Sequence, residues 1–581
     1  MSDAPSRVTP VAVSSTSTLV SKTGCWKYIR PIYQDGVAPC NEACPVGIDI
    51  EGYLNLLRED RIDEACDLLV RENPMPAITG RVCPHPCETP CNRRPFDEAV
   101  AVHAIERMLG DRVLETPVKR PARTSCASVA VVGSGPAGLA CAYHAARLGY
   151  AVTVFEAAQE AGGMLRAGIP EYRLPRAVLD QQIAWLRAYG ITIECGVRVG
   201  TDVPWWSVLG AFDAVFLGFG AQQSKALAIP GEKLAGVESG LDFLRKVNAG
   251  ARPSLGQRAV VVGGGNTAID CARTVLRLGA EATVLYRRTR AEMPAIPDEV
   301  DEAEREGVRF VFLAAPIRLL SSDGRVQAIE CQRMQLGEPD ASGRRAPAPV
   351  EGARFTVPAD AVLSAIGESV DLESLPGEIE RVPAGLLTGE YGETTRAAVF
   401  AGGDMAQQPR TVADALGAGK RAAIGIDQYL RLITGRPLEG PGTAALRYGR
   451  RGNLSMTRWR GDDPIRRASP VNQVVRYEDL NISHFVHAPR AGDGRLDIGE
   501  SRQGFGEVNR GLSSDAALDE ARRCLNCGVC NRCDLCLVFC PDAAISRDDG
   551  GYAVAMEYCK GCGVCAEECP RGAIVMTREG L

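Results

Sequence analysis

Cysteine is the residue type whose number and spacing most strongly indicate chemistry in this sequence. The 581 residues include 22 cysteines, and most of these lie within residues 25–91 and 524–569. Crowded Cys-x-x-Cys spacing in a long chain is typical of metal binding rather than of a disulfide-linked secreted domain. The isolated cysteines are expected to be small buried apolar residues; they are Cys126, Cys141, Cys195, Cys271 and Cys331.

The second cysteine group contains two copies of the run Cys-x-x-Cys-x-x-Cys-x-x-x-Cys-Pro. In such a run three thiolates bind one [4Fe–4S] cluster and the fourth binds the other cluster, whereas a zinc site needs only four ligands around one ion. The ligands predicted for the first cluster are Cys530, Cys533, Cys536 and Cys569. Those predicted for the second are Cys559, Cys562, Cys565 and Cys540. Cys524 and Cys527 precede the run and have no predicted role.

Residues 133–138 form a Gly-x-Gly-x-x-Gly sequence after a predicted strand. Glycines at these positions permit a tight turn, close approach of the backbone to a pyrophosphate, and close packing of the next helix on the strand. The N-terminus of that helix adds positive potential for phosphates. An acidic residue ends the next predicted strand, where it can bind a ribose hydroxyl. The predicted nucleotide contacts are Gly133, Gly135, Pro136, Gly138 and Glu156.

A second glycine fingerprint, at residues 263–268, has alanine in the third small position. Its predicted contacts are Gly263, Gly265, Asn266 and Thr267. The strand that follows ends in Arg287 and Arg288 rather than in an acidic residue. Guanidinium groups at this edge can pair with a 2′-phosphate, which favours NADP(H) over NAD(H). A solvated arginine-rich loop is the alternative, and it leaves NAD(H) open.

Two β-α-β units are needed to position these loops. The predicted elements are the strands Ser128–Val132, Ala151–Phe155, Arg258–Val262 and Ala282–Tyr286 and the helix Thr267–Leu278. In the first cysteine group the apolar spacing predicts amphipathic helices at Ile50–Leu57 and Asp63–Val70. The sequence therefore predicts an α/β protein with two Rossmann-like dinucleotide-binding domains, preceded by a helical Fe–S domain and followed by a bacterial-ferredoxin-like α+β domain.

Further motifs, at residues 162–166, 168–175, 213–220 and 401–404, give the sequence a family resemblance. From about Cys40 to Leu430 it resembles the small-subunit family of glutamate synthase. The resemblance implies FAD in the first fold and NADPH in the second, which is inserted between the two halves of the first. It also implies FAD contacts at Gly163, Met164, Leu165, Arg166, Gly403, Asp404, Thr411 and Val412. Because the cofactors carry out the hydride transfer, no catalytic side chain is predicted.

The first cysteine group is interpreted through the same resemblance, because that family holds two [4Fe–4S] clusters in this region. The ligands implied for one cluster are Cys44, Cys83, Cys87 and Glu106. Cys40 and Cys91 match the second cluster, but the pair of thiols expected ahead of Cys40 is replaced by Cys25 alone. We therefore expect one or two N-terminal clusters, with a structural zinc ion as the alternative.

Changes in composition divide the sequence into seven segments. They are a disordered tail at 1–22, the helical Fe–S domain at 23–122, the first part of the FAD-binding domain at 123–250, the NAD(P)-binding domain at 251–364, the second part of the FAD-binding domain at 365–438, a connector at 439–513, and the ferredoxin-like domain with two [4Fe–4S] clusters at 514–581.

The net charge of −6 is small for this length, and no Lys/Arg-rich block is present. Nucleic acid is therefore not an expected partner. No apolar run approaches the roughly 20 residues of a membrane span, and the first residues lack the apolar core of a secretory signal. These features predict a cytoplasmic protein without a membrane span.

Iron–sulfur clusters carry single electrons, NAD(P)H delivers two electrons as hydride, and a flavin can do both. The expected order of carriers is therefore NAD(P)H, FAD and clusters, in either direction. The C-terminal domain also resembles the ferredoxin-like subunit of 2-oxoacid:acceptor oxidoreductases. This implies an NAD(P)H:acceptor (ferredoxin) oxidoreductase that serves ferredoxin or a partner enzyme, such as a 2-oxoacid:ferredoxin oxidoreductase. The alternatives are a glutamate synthase small subunit, a subunit of a flavin-bifurcating NADPH:ferredoxin transhydrogenase, and a scaffold held together by its clusters.

Overall fold

The computed structural model describes residues 28–340, 343–373, 375–383, 385–406, 410–437, 443–462, 473–548 and 551–578. These residues form two compact units. The first contains the residues up to Thr116, those of Gly435–Gly492 and those from Leu512 onward. The second contains Pro117–Thr434 and Asp493–Gly511. The predicted tail at 1–22 and Cys25 lie outside the described residues.

The first glycine fingerprint belongs to a parallel five-stranded sheet in the second unit. In sheet order the strands are Val399–Ala401, Ala214–Leu217, Ser128–Val132, Ala151–Glu156 and Thr192–Cys195. The central strand is apolar and largely buried, as a parallel strand covered by helices on both faces must be. Its helices are Pro136–Arg147, Met164–Ala167, Arg176–Ala188, Trp205–Ala211 and Val412–Ile433, with a 3₁₀ turn at Gly403–Met405.

The second fingerprint belongs to another parallel five-stranded sheet in the same unit. In sheet order the strands are Arg309–Phe312, Glu281–Tyr286, Arg258–Val262, Ala361–Ser364 and Val237–Ser239. Its helices are Gly240–Asn248, Asn266–Arg277 and Pro297–Glu306, with a 3₁₀ turn at Arg290–Glu292. This fold lies in sequence between the strands of the first sheet. The two parallel sheets confirm the predicted pair of Rossmann-like folds.

Several antiparallel pairings complete the second unit. A three-stranded sheet consists of Ala314–Ser322, Arg325–Pro339 and Arg345–Pro358. The shorter pairs are Gln223–Ser224 with Glu368–Ser369, Arg381–Val382 with Gly385–Leu386, and Gly494–Arg495 with Asn509–Gly511. The helix Ile498–Arg502 lies between the last two strands in sequence.

The first unit combines the two cysteine-rich regions. Its helices are Pro39–Ala43, Ile50–Arg58, Ile62–Val70, Pro76–Val82, Val102–Glu115, Thr443–Leu446, Met456–Arg460, Ser514–Arg522, Leu535–Val538 and Val564–Glu567, and its 3₁₀ turns are Tyr477–Asp479 and Ile482–His484. The strand Ile29–Tyr33 pairs antiparallel with Ile574–Arg578, and Ile545–Asp548 pairs with Gly551–Val554. The earliest described strand therefore forms a two-stranded sheet with the last described strand.

The segment predicted as a connector contributes to both units. In the first unit the buried Glu72 accepts hydrogen bonds from the Ser455 hydroxyl at 2.6 Å, the Met456 N–H at 2.9 Å and the Thr457 N–H at 2.8 Å. The carboxylate thereby satisfies free N–H groups at the start of a helix. Residues 493–511 belong to the second unit. Among the described residues, no helix is long and apolar enough to cross a membrane.

Candidate nucleotide and iron–sulfur sites

Gly133 begins the tight turn after the central strand of the first sheet. It has a φ of 101°, and a Cβ there would lie 2.8 Å from the carbonyl oxygen of Gly218. A Cβ on Gly138 would lie 1.9 Å from the carbonyl oxygen of Gly133. At Gly135, by contrast, the nearest atom to a Cβ would be 3.8 Å away. The turn therefore leaves open space at the start of the helix Pro136–Arg147, where a pyrophosphate can approach the backbone.

Glu156 lies at the end of the neighbouring strand and is 8% exposed. Its Oε2 accepts hydrogen bonds from the backbone N–H of Ser134 at 2.9 Å and from the Ser134 hydroxyl, and its Oε1 accepts from the N–H of Ala158 at 2.8 Å. These bonds fix the carboxylate beside the glycine turn. It therefore occupies the strand end at which a ribose contact was predicted.

The segment at residues 163–166 packs against the same turn. Gly163 has a φ of 52°, and a Cβ there would lie 2.9 Å from the Cα of Gly135. Leu165, in the short helix that follows, is fully buried. Arg166 pairs with Asp180. The segment is thus held in place by packing and an ion pair close to the predicted FAD site.

The turn that carries Asp404 packs directly on the first helix of the fold. Gly403 has a φ of 68°, and a Cβ there would lie 2.8 Å from the Cβ of Ala137. The next helix, Val412–Ile433, is capped by Thr411, whose hydroxyl accepts a hydrogen bond from the backbone N–H of Asp414 at 3.1 Å. The turn that carries Asp404 and the start of the helix Val412–Ile433 come after the second fold in sequence. Both nevertheless belong to the first fold.

The carboxyl group of Asp404 is partly removed from water. Burial raises its pKa to about 6, the charges of Glu368 and Asp414 add to the increase, and Arg410 opposes it. A carboxyl group that titrates near pH 6 can accept a hydrogen bond when ionised and donate one when protonated. Asp404 is therefore suited to bind a sugar-like hydroxyl.

The second glycine turn has the same design as the first. Gly263 has a φ of 150°, and a Cβ there would lie 2.2 Å from a backbone carbonyl oxygen. At Gly265 a Cβ would meet no atom within 4 Å. Asn266 accepts a backbone hydrogen bond at 2.9 Å, and the hydroxyl of Thr267 lies 3.4 Å from the carboxylate of Glu368. The turn therefore offers a second open backbone surface for a dinucleotide.

The two arginines after the second fold's central β-α-β unit have different environments. Arg287 is exposed and forms no ion pair within the described part of the chain. Arg288 is 4% exposed, pairs with Asp340, and donates to the carbonyl oxygen of Arg345 at 2.7 Å. The nearby Arg290 pairs with acidic residues of the following helix. Of the arginines predicted to bind a 2′-phosphate, Arg287 is thus the one that is not already paired with an acid.

The motif at residues 168–175 contacts the nucleotide-binding helix of the second fold. The ring of the buried Tyr172 is covered by the guanidinium groups of Arg277, at 3.8 Å from its centroid, and Arg273, at 4.8 Å. Arg173 donates to both carboxylate oxygens of Asp270 at 2.9 Å. The motif therefore joins the two dinucleotide folds through cation–π contacts and a buried ion pair.

The cysteines of the ferredoxin-like region are grouped in the crossed manner that their spacing predicts. Burial raises the pKa of the Cys569 thiol, and the negative charges of Cys533 and Cys530 raise it further. Burial raises the pKa of Cys536 to about 12, and the thiolate charges that act on it are those of Cys569, Cys533 and Cys530. A separate cavity is bounded by the other four thiols, those of Cys540, Cys559, Cys562 and Cys565.

The spacing of the sulfur atoms favours clusters over single ions. In a tetrahedral zinc site the thiolates lie about 3.8 Å apart, because each Zn–S bond is about 2.3 Å. Among the described residues, no three cysteine sulfur atoms lie within 4.8 Å of one another. A cube of iron and sulfide separates its ligands more widely than a single ion does, so the cysteine sets fit [4Fe–4S] clusters better than zinc.

In the N-terminal region the structure brings Cys44, Cys83 and Cys87 together. Burial raises the pKa of Cys87, and the charges of Cys44 and Cys83 add to the increase. Tyr53 is fully buried beside these thiols, and its hydroxyl has no hydrogen-bond partner in the described structure. Buried hydroxyls rarely lack a partner. A sulfide of a bound cluster would provide one, so the site fits an iron–sulfur cluster.

Glu106 lies in the same buried region, on the helix Val102–Glu115. Burial raises its pKa to about 7, while hydrogen bonds from Thr79 and Asn73 act against the increase. Both of these bonds are made to Oε1, the one from Asn73 at 2.8 Å. Within the described residues this leaves Oε2 available to a metal, as the fourth ligand of the N-terminal site requires.

The second N-terminal pair, Cys40 and Cys91, has two further thiols near it. The pKa of Cys40 is raised by burial and then by the charges of Cys524, Cys91 and Cys527. Sequence reasoning left Cys524 and Cys527 without a role. The signal that could have found them is their Cys-x-x-Cys spacing.

Family comparisons agree with this division of the chain. Residues 127–419 match the family model described as pyridine nucleotide-disulphide oxidoreductase. Residues 33–118 match a model described as dihydropyrimidine dehydrogenase domain II, 4Fe-4S cluster. Residues 552–575 match a 4Fe-4S binding domain. The dinucleotide folds and both iron–sulfur regions are therefore recognised independently.

Similar proteins extend over most of the chain. The NADP(+)-dependent formate dehydrogenase subunit beta of Moorella thermoacetica is 39% identical, covering 84% of this chain and 70% of that protein. The NADPH-Fe(3+) oxidoreductase subunit beta of Geobacter sulfurreducens is 38% identical, covering 84% and 75%. The glutamate synthase [NADPH] small chain of Halomonas elongata is 38% identical, covering 67% and 88%, which confirms the predicted resemblance. The chain therefore belongs to the pyridine nucleotide-disulphide oxidoreductase family, as an NAD(P)H-dependent FAD and iron–sulfur oxidoreductase related to the glutamate synthase small subunit.

Proposed function

We propose that this chain is the NADPH-linked electron-transfer subunit of a larger oxidoreductase, in which a partner subunit binds the second substrate. The observation that carries the proposal is the presence, in one chain, of two open glycine turns and several cysteine sets of cluster type. The relatives from Moorella and Geobacter support it, because both are named beta subunits and both names include the NADP cofactor.

The geometry supports a set of residues for each cofactor. FAD would be bound by the turn at Gly135 with Glu156 and Asp404, and NADPH by the turn at Gly265 with Arg287. An N-terminal [4Fe–4S] cluster would be bound by Cys44, Cys83, Cys87 and Glu106, and two more by the eight cysteines from Cys530 to Cys569. When bound, FAD exchanges hydride with the nicotinamide and single electrons with the clusters.

The exposed guanidinium of Arg287 supports NADP(H) over NAD(H). A 2′-phosphate carries negative charge, and a charge-assisted hydrogen bond to an unpaired arginine is stronger than a neutral one. The acid of the first fold, Glu156, has no counterpart at the equivalent strand end of the second fold, where Tyr286 is followed by Arg287. The two folds thus have different side chains at this strand end, which suits them to different nucleotides.

The partner enzyme is the least specified part of the proposal. A 2-oxoacid:ferredoxin oxidoreductase fits the ferredoxin-like C-terminal region. A formate dehydrogenase is a second candidate, because the Moorella relative is a subunit of such an enzyme. In both cases the cluster-containing unit would exchange electrons with the partner, and the dinucleotide folds would exchange hydride with the nicotinamide.

Anaerobic purification of the native complex and titration with nucleotides test this proposal. We expect a stoichiometric partner subunit with its own substrate site, bleaching of the flavin absorbance by NADPH at lower concentration than by NADH, and appearance of reduced-cluster EPR signals in the same titration. A protein that purifies alone from its native source, or a flavin that NADH reduces at least as readily, would contradict the partner and the nucleotide assignments, respectively.

A further inference from the structure

Four cysteines from opposite ends of the sequence, two of them buried and two half-buried, converge in the first unit. They are Cys40 and Cys91 from the N-terminal region and Cys524 and Cys527 from the segment ahead of the ferredoxin-like run. We propose that these four thiolates bind an additional [4Fe–4S] cluster, which is thus held jointly by the two cysteine-rich regions. Neither matched iron–sulfur model, at 33–118 or 552–575, includes Cys524 and Cys527.

The backbone segments that carry the four cysteines are held together by direct contacts. Asn92, next to Cys91, donates to the sulfur of Cys527 at 3.5 Å. The N–H of Gly36 donates to the carbonyl oxygen of Gly528 at 2.8 Å, and a Cβ on Gly528 would lie 2.8 Å from the backbone of Gly36. The segments 36–40 and 91–92 are therefore fixed against the Cys524–Cys527 loop.

The thiols share one buried region. Cys527 and Leu525 belong to a hydrophobic cluster with Ala38, and Cys40 packs against it. Burial raises the pKa of Cys524 to about 12, and the nearby charge of Cys91 adds to the increase. Buried thiols grouped in this way are stabilised as thiolates when a metal cluster binds them.

The Cys524–Cys527 loop has the conformation of a cluster-binding loop. The N–H of Asn526 donates to the sulfur of Cys524 at 3.4 Å, and in the predicted cluster loop the N–H of Gly561 donates to Cys559 at 3.4 Å. The residue before the second cysteine has a positive φ in both loops, 48° at Asn526 and 68° at Gly561. Asparagine tolerates this left-handed conformation better than most residues. The two loops therefore present their cysteines in the same way.

Two arginines lie next to the site, together with the buried carboxylate of Glu51, which accepts a hydrogen bond from Asn526 at 3.1 Å. Arg58 donates to the side chain of Asn526, and Arg571 donates to the carbonyl oxygen of Leu525. Neither forms a salt bridge within the described residues, and Arg571 is only 7% exposed and has no hydrogen-bond partner for its Nε. A buried cation without an acidic partner is costly. Four thiolates around an iron–sulfur cube carry net negative charge, which would give the buried Arg571 a counter-charge.

The location of the site completes a series of clusters within the first unit. On one side, the charges of Glu106, Cys87 and Cys40 add to the increase in the pKa of Tyr53. On the other side, the charges of Cys524 and Cys533 act to raise the pKa of Arg571. The additional cluster would thus lie between the N-terminal site and the first terminal cluster. This inference deepens the proposed electron-transfer function, but the number of clusters does not depend on which nucleotide or partner is used.

Cluster counting in the anaerobically purified full-length protein tests the inference. With four clusters the protein holds about 16 iron atoms and 16 sulfides per chain. We expect Cys524→Ala, Cys527→Ala and Cys91→Ala each to lower iron and sulfide by about a quarter and to remove the same EPR signal, while FAD remains bound in the second unit. Matched controls are Cys66→Ala, a buried thiol that donates to the carbonyl oxygen of Leu109, and Cys126→Ala, an exposed thiol.

Two results would overturn the assignment. The first is an unchanged iron content and EPR spectrum in both Cys524→Ala and Cys527→Ala. The second is loss of the cluster in Cys25→Ala, because Cys25 is the competing ligand from the N-terminal region. If the variants do not fold, native mass spectrometry of the Cys25→Ala protein still decides, since four cubes support the inference and three contradict it. NADPH titration of the same samples reports separately on the proposed function.

Discussion

At the residue scale, the glycines of the first turn differ in what a side chain would meet. Gly133 and Gly138 lack space for a Cβ because protein atoms are too close, whereas Gly135 borders open space. Substitution of the first two would therefore disturb the fold itself. Substitution of Gly135 would fill only the volume that a pyrophosphate needs.

We predict that Gly135→Val yields a folded protein that has lost its FAD. Acid extraction followed by absorbance or fluorescence measurement gives the flavin content per chain. The matched control is Gly210→Ala, in the helix Trp205–Ala211, where a Cβ would meet no atom within 4 Å. Retention of FAD by Gly135→Val at the level of the control would show that the turn does not bind the pyrophosphate.

Arg287 provides a second test at this scale. Arg287→Ala should lower the ratio of kcat/KM for NADPH to that for NADH by roughly 5- to 150-fold, because a charge-assisted contact is worth about 1–3 kcal/mol. Efficiency with NADH should stay the same. Steady-state kinetics with both nucleotides and an artificial acceptor measures this ratio.

Arg290→Ala is the control for that experiment, since Arg290 pairs with Asp301 and Glu304 on the protein surface. We expect it to leave the nucleotide preference unchanged. Equal effects of the two substitutions would assign the preference to the general positive charge of the loop. No effect of Arg287→Ala would remove the basis for assigning NADPH.

Individual ligands could be predicted from the sequence only where their spacing is local. The eight cysteines of the ferredoxin run form a dense repeat, so both their role and their crossed grouping follow from spacing. Glu106 came from family resemblance, since a single glutamate on a helix carries no local signal. The Cys-x-x-Cys spacing of Cys524 and Cys527 indicates metal binding, but Cys524 lies more than 400 residues after Cys40, and no sequence period connects such distant positions.

At the element scale, the helices Asn266–Arg277 and Pro297–Glu306 are joined by buried charges. Glu306, 1% exposed, accepts hydrogen bonds from Arg273 at 2.7 Å and from Arg277 at 2.7 Å. These bonds lower the pKa of Glu306 to about 2 although burial acts in the opposite direction. The carboxylate is therefore ionised at neutral pH and balances two buried cations.

We predict that Glu306→Gln destabilises the second fold by about 3–5 kcal/mol, because it removes the carboxylate that pairs with the buried Arg277 guanidinium and one of the two that pair with Arg273. Urea unfolding followed by FAD and tryptophan fluorescence should show a lower midpoint. Glu304→Gln, on the exposed face of the same helix, should change stability by less than about 1 kcal/mol. A loss of stability as small for Glu306→Gln as for Glu304→Gln would mean that the buried charges find other partners.

The elements of the dinucleotide folds were largely predictable. The strands Ser128–Val132 and Arg258–Val262 have the predicted bounds, and the predicted helix Thr267–Leu278 is found at Asn266–Arg277. Short apolar strands followed by glycine turns carry a strong local signal. The antiparallel sheet of residues 314–358 was not predicted. Its exposed strands mix polar and apolar residues and contain register shifts. The alternation of polar and apolar side chains that is typical of a strand is therefore weak.

At the scale of the whole molecule, the first unit depends on residues that lie far apart in sequence. Glu520 accepts hydrogen bonds from the N–H groups of Ala101 and Ala491, both at 2.8 Å. The strand Ile29–Tyr33 pairs with Ile574–Arg578. The second unit, by contrast, contains no residue beyond Gly511.

We therefore predict that a chain ending at Ser513 keeps its FAD and its NADPH-driven reduction of a small dye. Its iron content should fall by more than the roughly eight atoms of the two terminal clusters, because the N-terminal region loses supporting contacts as well. Flavin and iron analyses with a dye assay measure both effects. Full-length Cys533→Ala and Cys562→Ala are the controls, each expected to disturb one terminal cluster only. Loss of flavin from the shortened chain would contradict the independence of the second unit.

The pairing of Ile29–Tyr33 with Ile574–Arg578 also sets the order of events when the protein is made. The hydroxyl of Tyr33 donates to the sulfur of Cys536 at 3.1 Å across a separation of 503 residues. A ribosome releases the dinucleotide folds well before it reaches this partner. The second unit can consequently fold during translation, whereas the earliest described strand must wait, unpaired, for the last. Delivery of iron and sulfide to sites that need residues from both cysteine-rich regions therefore follows synthesis of the second unit, and an interrupted ribosome would release a flavoprotein without its full electron path.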